Sequence, residues 1–342
     1  MEAKRIDYFD IAKGISMLCV IIGHLSVSKI NMIVFTFHMP LFFIISGYFT
    51  KKQGNKALAV KKFKQLLVPY IATCIAVILC SAIKDIFAGN FQELINHIIL
   101  WCYAAFYGSG NSYTAPFFVK AIGAIWFLPA MFWAILIYNL IADKKWSALW
   151  VACIAGLGYV SVNYVYLPWS IQSAMLAIVF IHTGYYFRKK NYFETMHIWS
   201  VTTALLLWGS CIYIDRGRFY LVGNYSEHLL VDIIGSIAGT YLVVGFSKII
   251  QRFSMVSFAL KWFGKYSLIV LCFHLIELTF IPWKDWLESA GITNILLIGG
   301  IAVAGKLIWC TTGVLLTLNM PFLSAIFGIK NSNNPVLPKE SR

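Results

Sequence analysis

Charged residues are scarce in this 342-residue sequence. They make up 12% of the chain, whereas hydrophobic residues make up 60%. Water-soluble domains carry about 25% charged residues and roughly 45–50% apolar ones. A chain with so few charges cannot surround one apolar core with a soluble surface. The composition therefore excludes a water-soluble protein and predicts an integral membrane protein.

The sequence also lacks the cysteine patterns of metal sites. Its eight cysteines are scattered through apolar runs, with no C-x-x-C pair and no Cys/His spacing of the kind that zinc needs. We therefore interpret them as packing residues and expect no metal. A cleavable signal peptide is not apparent either, because the first apolar run contains Asp10 and Lys13 and has no small-residue cleavage site. This run is expected to remain as the first transmembrane helix.

Long apolar runs are what the sequence does have. Crossing the hydrocarbon layer takes about 20 mostly apolar residues. Ten runs meet this length, at roughly 11–28, 31–49, 65–87, 121–142, 147–166, 171–187, 196–214, 229–247, 266–283 and 292–318. The stretch 94–107 is shorter and is interpreted as a re-entrant or interfacial helix. The sequence thus predicts an all-α membrane protein with about ten transmembrane helices (nine or eleven are the alternatives), organised as one domain over residues 1–330 and a polar tail over 331–342.

The basic residues predict the orientation of the chain. There are 28 Lys and Arg against 14 Asp and Glu, a formal net charge of +14. With the N-terminus in the cytoplasm, 21 of the 28 fall in cytoplasmic segments, as expected from the enrichment of basic residues on that side. Both termini are therefore predicted to be cytoplasmic. The same dispersal argues against nucleic acid as a partner, because no basic domain interleaved with aromatic residues exists; the expected partner is the lipid bilayer.

Three ionisable residues lie in the first two predicted helices, where such groups are costly. Lys13 and His24 are eleven positions apart, which places them on one helix face. In an antiparallel hairpin that turns near residues 29–31, His24 and His38 reach a similar depth in the outer half of the membrane. Two imidazoles in one pocket indicate proton handling. The alternative for any single membrane histidine is a hydrogen bond to a neighbouring helix.

Further polar groups are distributed along the later helices. His274 has Glu277 three residues later on the same face, which fits a structural pair and a supporting role at a site equally well. Asp232 and Lys306 fall near the outer ends of helices, where we expect their side chains to reach water. The outer segment 215–228 fits a carbohydrate-contacting rim or an ordinary polar loop.

One predicted cytoplasmic loop is strongly basic. Residues 49–65 contain six lysines and no acidic residue. Topology needs only two or three, so the excess, with Lys61, Lys62 and Lys64 at its end, fits a polyanion site as well as a topology signal. No Walker-type or G-x-G-x-x-G sequence is present, so any phosphate recognition must come from side chains.

Several segments together resemble the bacterial membrane acyltransferase-3 family, whose stand-alone members include sugar O-acetyltransferases of the fucose-4-O-acetylase type. They are RIDYFDIAKG (5–14), the Lys13-x10-His24 spacing, FHMPLFF (37–43), ISGYF (45–49), LLVPY (66–70), IWFLPA (125–130) and GKYSLIVLCFH (264–274). The resemblance covers about residues 5–275 and is most specific in the first fifty. Family members often carry Arg-x-x-x-Arg before the LLVPY-like run, whereas this chain has Lys61 and Gln65.

This resemblance implies a ten-helix bundle in the bacterial cytoplasmic membrane. Such a bundle transfers an acyl group, usually acetyl, from cytoplasmic acetyl-CoA to a hydroxyl of a cell-surface glycan or lipid-linked sugar. It also implies that His24 is the catalytic histidine and Lys13 its basic partner. Acetyl-CoA is then the co-substrate. The departure from Arg-x-x-x-Arg puts the family's donor contacts in doubt, and the basic loop itself leads us to hypothesise that Lys61, Lys62 and Lys64 bind the phosphates of CoA.

On this hypothesis, His24 removes the proton of the acceptor hydroxyl, or accepts the acyl group itself. His38 orients the acceptor, stabilises the oxyanion or shuttles the proton. Ser46 and Trp126 shape the substrate pocket, and His274 is a further residue on the substrate side.

The alternative hypothesis is a proton-coupled secondary transporter. His24, His38, Asp232 and Glu277 would then form a proton relay through the membrane. Transporters usually show two halves with interrupted helices at matching positions. The sequence shows no such symmetry, which favours the acyltransferase.

Overall fold

The computed structural model describes residues 6–25, 27–114 and 116–329. The regular structure in this part of the chain is helical, and its β pairing consists of two isolated bridges, Tyr113 with Val119 and Tyr220 with Tyr225. The predicted tail 331–342 lies outside the described residues, as do Lys4 and Arg5. The α-helices are α1 (Asp7–Gly23), α2 (Ser28–Val34), α3 (His38–Phe49), α4 (Asn55–Lys62), α5 (Val68–Phe87), α6 (Phe91–Tyr107), α7 (Phe127–Ile141), α8 (Ser147–Ser161), α9 (Ile171–Lys189), α10 (Ile198–Asp215), α11 (Leu229–Ile250), α12 (Ser254–Lys265), α13 (Ser267–Phe280), α14 (Trp283–Ser289), α15 (Ile295–Asn319) and α16 (Pro321–Ile326).

Each of the ten predicted apolar runs overlaps a helix of the structure. Six helical segments of the described chain are long and apolar enough to cross a membrane: Ser28–Phe49, Asn55–Phe87, Ala124–Ile141, Ile198–Asp215, Leu229–Ile250 and Ile295–Asn319. The pair α12 and α13 makes a seventh if it counts as one span, although the chain bends by 75° between the two helices. The protein is therefore an all-helical, multi-pass membrane protein.

Glycines bring α3 and α9 into backbone contact. A Cβ atom at Gly47 would lie 2.0 Å from the carbonyl oxygen of Ile181, and one at Gly184 would lie 1.9 Å from that of Ile44. Small residues permit this close approach, which is a common way to associate helices in membranes. The crossing fixes α3, the helix that begins at His38.

A similar crossing fixes α1 against α12. A Cβ at Gly14 would lie 2.1 Å from the Leu260 carbonyl oxygen, and one at Gly264 would lie 1.7 Å from that of Asp10. The chain then bends between α12 and α13, and α13 packs against α1, α5 and α15. Because of this bend, α13 packs against the end of α1 that leads into His24.

The lysine-rich segment 49–65 is mostly helical, although the sequence suggested a loop. Its strong helix formers, Ala57 to Ala59, lie in α4, which continues through a π-helical turn (Phe63–Leu67) into α5. The start of α4 is held by buried Asn139 of α7, whose Nδ2 donates to the Gln53 carbonyl (3.0 Å) and to Asn55 Oδ1 (2.8 Å). The basic segment is thus attached to the helix bundle.

Candidate active site

His24 and His38 line one cavity of about 360 Å³, which we call the outer cavity. His24 follows the last residue of α1, and His38 is the first residue of α3. Trp126, Asn111 and Tyr220 contribute to the opposite walls. The expected hairpin does bring the two histidines to one cavity, but the turn was predicted in the wrong place: α1 ends at Gly23, and residues 29–31 lie within α2 (Ser28–Val34).

Both imidazoles are oriented by the carbonyl group four residues earlier. Nδ1 of His24 lies 2.8 Å from the Val20 oxygen, and Nδ1 of His38 lies 2.6 Å from the Val34 oxygen. A carbonyl oxygen only accepts hydrogen bonds, so each Nδ1 is the donor and Nε2 of the neutral ring carries no proton. His24 is exposed to the cavity, whereas only 9% of the His38 surface is accessible.

A buried polar chain stands behind His24. Nε2 of His274 lies 3.3 Å from Nδ1 of His24, and Nδ1 of His274 lies 3.0 Å from Oε2 of Glu277. The other carboxylate oxygen of Glu277 accepts from Lys306 Nζ at 2.6 Å and from Trp283 Nε1 at 2.5 Å. His274 and Glu277 are fully inaccessible and Lys306 is 4% exposed. The contact with His24 favours a supporting role for the His274–Glu277 pair.

The sequence-based prediction for Lys306 was therefore wrong. We expected its side chain to reach water from the outer end of a helix, but Lys306 lies near the middle of α15 and bonds Glu277 instead. Asp232 does not reach water either: it is fully buried and accepts a hydrogen bond from Ser226. In both cases a buried polar partner satisfies the charge.

A second cavity of about 180 Å³, the inner cavity, lies next to the outer one. Ser46 and Lys62 contribute to its wall. Val20, Met39 and Leu271 line both cavities and form the boundary between them, which we call the waist. The two cavities thus lie end to end within the bundle, with Lys62 at the inner one and His24 at the outer one.

Other predicted site residues occupy different places. Lys13 forms an ion pair with Asp10 at 2.6 Å and lines neither cavity, because a carboxylate three residues earlier captures its ammonium group. Lys61 and Lys64 are exposed on the surface near Lys62 and do not line the inner cavity. Trp126 is in the outer cavity and Ser46 in the inner one, so these two do not share a pocket.

The segment 215–228 supplies one wall of the outer cavity. Asp215 Oδ2 accepts from the backbone N–H groups of Arg218 (2.6 Å) and Phe219 (3.1 Å), which turns the chain so that Phe219 to Val222 face the cavity. Elsewhere in the segment, the hydrogen bond from Arg218 holds the pKa of Glu227 below its usual value. The segment therefore lines the outer cavity, and its contact with a carbohydrate stays a prediction.

Sequence reasoning missed Asn111, Trp283 and the role of Lys306, and it indicated Tyr220 only as part of the segment 215–228. Asn111 and Tyr220 lie in connections, which carry no periodic pattern. A lysine near the centre of an apolar run was a usable signal for Lys306, because such a charge needs a buried partner. Among the described residues, no group of three or more His, Cys, Asp or Glu side chains is arranged to hold a metal ion.

The chain resembles known proteins. The chain is similar to nodulation protein NolL of Sinorhizobium fredii (strain NBRC 101917 / NGR234), with 25% identity over 170 residues; the match covers 44% of this chain and 40% of the relative. No solved structure matches the chain. The acyltransferase-3 family model, described as an acyltransferase domain, matches residues 6–316, which include both cavities and the buried chain behind His24. The protein therefore belongs to the acyltransferase-3 family.

Proposed function

We propose that the protein is a membrane O-acyltransferase. It moves an acyl group, most simply acetyl, from acetyl-CoA on the cytoplasmic side to a hydroxyl of a glycan or lipid-linked sugar on the other side of a bacterial cytoplasmic membrane. One observation carries the proposal: the inner cavity with Lys62 and the outer cavity with His24 meet at a shared waist. A donor entering by the first cavity and an acceptor entering by the second meet beside an exposed imidazole.

The proposal includes the topology that the charges predict. About ten membrane crossings in a single domain over residues 1–330, with both termini in the cytoplasm, place α4 and its lysines on the cytoplasmic side. The segment 215–228 then lies on the opposite side. Support comes from the 21 basic residues that this orientation assigns to the cytoplasm.

The reaction requires one base at the junction of the two substrates. Nε2 of His24 takes the proton of the acceptor hydroxyl while the hydroxyl oxygen attacks the thioester carbonyl. The new C–O bond forms and the C–S bond breaks. The proton then passes from the imidazolium to the departing CoA thiolate. A positioned base of this kind contributes about 10²–10⁴-fold to the rate.

The walls of the outer cavity suit a sugar. Trp126 and Tyr220 offer aromatic faces, Asn111 offers an amide that both donates and accepts, and His38 offers an unprotonated Nε2. A cavity of about 360 Å³ is in the range of small-molecule sites, which run to roughly 300–1,000 Å³. His38 is assigned to orient the acceptor.

The donor is proposed to bind from the side of α4. Lys62 reaches the inner cavity, and the exposed Lys61 and Lys64 add positive charge around its mouth. These ammonium groups suit the phosphates of CoA, while the apolar inner cavity suits its pantetheine arm. Ser46 is reassigned from the acceptor pocket to this donor route because it lines the inner cavity.

Release of CoA tests the proposal. Purified protein in lipid nanodiscs is incubated with acetyl-CoA and with candidate acceptor sugars, and free thiol is measured. Acceptor-dependent release that is lost in His24→Gln is expected. A protein that binds these substrates but releases no CoA would favour the transporter alternative. Mass spectrometry of surface glycans from a deletion strain then identifies the acyl group and its carrier.

A further inference from the structure

The outer cavity holds two histidines that present the same atom to a substrate. Each donates its Nδ1 proton to the carbonyl four residues earlier, so each neutral ring has an unprotonated Nε2. The two rings differ in what lies behind them. His274, Glu277 and Lys306 lie behind His24. In the described structure, the His38 side chain bonds the Val34 carbonyl instead.

We propose that His274, Glu277 and Lys306 are positioning residues that make His24, rather than His38, the base of the transfer reaction. This inference rests on the proposed function for its consequence in turnover. The effect on the His24 ring itself is measurable without any transfer of an acyl group.

Hydrogen-bond chemistry fixes the proton positions along the chain. The carboxylate of Glu277 accepts from Nδ1 of His274 at 3.0 Å, so Nε2 of the neutral His274 ring is an acceptor. That Nε2 lies 3.3 Å from Nδ1 of His24, whose proton is thus shared between His274 and the Val20 carbonyl. His24 is held in the tautomer that leaves Nε2 free towards the cavity.

The same chain stabilises the charge that appears when His24 accepts a proton. The new imidazolium strengthens the hydrogen bond from His24 Nδ1 to His274, and the negative charge of Glu277 acts through His274. An orienting carboxylate behind a catalytic histidine acts in this way in hydrolytic triads. His38 has no such group in the described structure, so its imidazolium lacks this stabilisation.

Lys306 sets the charge of this chain. Its ammonium lies 2.6 Å from Glu277 in a buried environment, so the Glu277–Lys306 pair carries no net charge. Without Lys306, the uncompensated carboxylate would hold a proton on the histidines before the acceptor arrived. With Lys306 alone, the uncompensated cation would oppose protonation of His24. The pair keeps His24 neutral at rest and able to accept a proton.

Chemical modification of His24 tests this arrangement directly. Diethyl pyrocarbonate reacts with unprotonated imidazole, and mass spectrometry of the peptide containing His24 gives the rate at each pH. The titratable and charged groups facing His24 are His38 on α3, His274 on α13 and Lys306 on α15, with Glu277 behind His274. The pH midpoint of the reaction reports their combined effect.

Two variants should move this midpoint in opposite directions, each by about one pH unit. Glu277→Gln leaves the Lys306 cation unpaired, so protonation of His24 becomes harder and the midpoint falls. Lys306→Met leaves the Glu277 anion unpaired, so the midpoint rises. Shifts in the same direction, or no shift in either variant, would overturn the inference. A pair that does not interact with His24 predicts no opposite shifts, and the turnover of the double variant, below, separates a positioning role from a structural one.

Asp85→Asn is the matched control. Asp85 is a second buried carboxylate that bonds a histidine, the half-exposed His97 at 2.8 Å, and neither residue lines the outer cavity. Its removal should leave the midpoint of His24 unchanged. A shift as large as that of Glu277→Gln would show that the effect is not specific to the chain behind His24.

The double variant Glu277→Gln/Lys306→Met covers the case in which single variants do not fold, because it leaves no unpaired buried charge. Its His24 midpoint should lie between those expected of the single variants. Its turnover should fall by at least about tenfold, as expected for loss of a supporting hydrogen bond. Wild-type turnover in the double variant would overturn the inference while leaving the proposed acyl transfer intact. Absence of transfer in the wild type would instead refute the proposed function.

Discussion

The orientation of individual side chains in this site is set by nearby backbone groups. His24 and His38 accept their orientation from carbonyl oxygens of their own segments, and Leu271 forms the waist from the same helix that carries His274. At this scale, a substitution changes one atom that faces a substrate while the helices stay in place. Three predictions concern such atoms.

His24→Gln should lower acyl transfer by at least about 10²-fold, because the amide cannot accept the hydroxyl proton. His38→Gln should instead raise the Michaelis constant for the acceptor more than it lowers turnover. His197→Gln, at the exposed start of α10, is the control and should transfer normally. Initial rates in nanodiscs measure all three. Equal losses of turnover in both cavity variants would contradict the division of roles.

Leu271→Ala should widen the waist and improve the use of longer acyl donors. The measurement is the ratio of turnover with butyryl-CoA to turnover with acetyl-CoA, which should increase. Leu268→Ala removes a leucine that lines only the inner cavity, so it is the matched control and should change this ratio less. If Leu268→Ala has the larger effect, the acyl group is selected before it reaches the waist.

Lys62→Gln should raise the Michaelis constant for acetyl-CoA with little change in turnover, the pattern of lost ground-state binding. Lys62 is chosen because it lines the inner cavity, whereas Lys61 and Lys64 are exposed. The wild-type constant should rise with ionic strength, because salt screens point charges. The variant Lys189→Gln, with an exposed lysine at the end of α9, is the control. An unchanged Michaelis constant for acetyl-CoA in Lys62→Gln would show that the lysines determine topology and do not bind the donor.

At the scale of helices, the closest crossings depend on glycine, because the two backbones are in contact there. The α3–α9 and α1–α12 crossings each place a glycine against a carbonyl oxygen on both sides. These two crossings hold the helices that end or begin at the two cavity histidines. The stability of the site is therefore decided partly at positions that never contact a substrate.

Gly184→Ala should destabilise the protein by about 1–3 kcal/mol, because the added methyl group would overlap the Ile44 carbonyl oxygen. Gly156→Ala on α8 is the matched control, since nothing lies within 4 Å of its Cβ position. That control should be neutral or stabilising by up to about 1 kcal/mol, the helix-propensity gain. Thermal unfolding in detergent measures both, and equal melting temperatures would contradict the close α3–α9 contact.

For the whole molecule, the prediction that matters most is orientation. A reporter fused after Lys52 should be active in its cytoplasmic form, and one fused at Asn111 should be active only in its external form. The reverse pattern would place Lys62 and the inner cavity on the outside and remove the proposed donor route.

Sequence patterns predict the helices of this molecule well, because long apolar runs leave few alternatives in a membrane. The shared cavity of His24 and His38 follows from the spacing of two adjacent helices. The contact of Lys306 with Glu277 does not, because it joins α13 and α15 through packing and follows a 75° bend that no periodicity marks. The cavity walls at Asn111 and Tyr220 come from connections between helices. The spacing of Lys13 and His24 suggested a shared role, but Lys13 pairs instead with Asp10, three residues earlier.

The outer cavity is built from two kinds of structure, which has a consequence for how such enzymes diversify. The histidines belong to glycine-locked helices, whereas the wall at Phe219 to Val222 is a short connection pinned by Asp215. Exchange of this connection alone leaves the helices that carry the two histidines untouched. On the proposed function, recombination confined to the codons of residues 215–228 would change which acceptor the cavity takes, and a laboratory library confined to those codons would do the same.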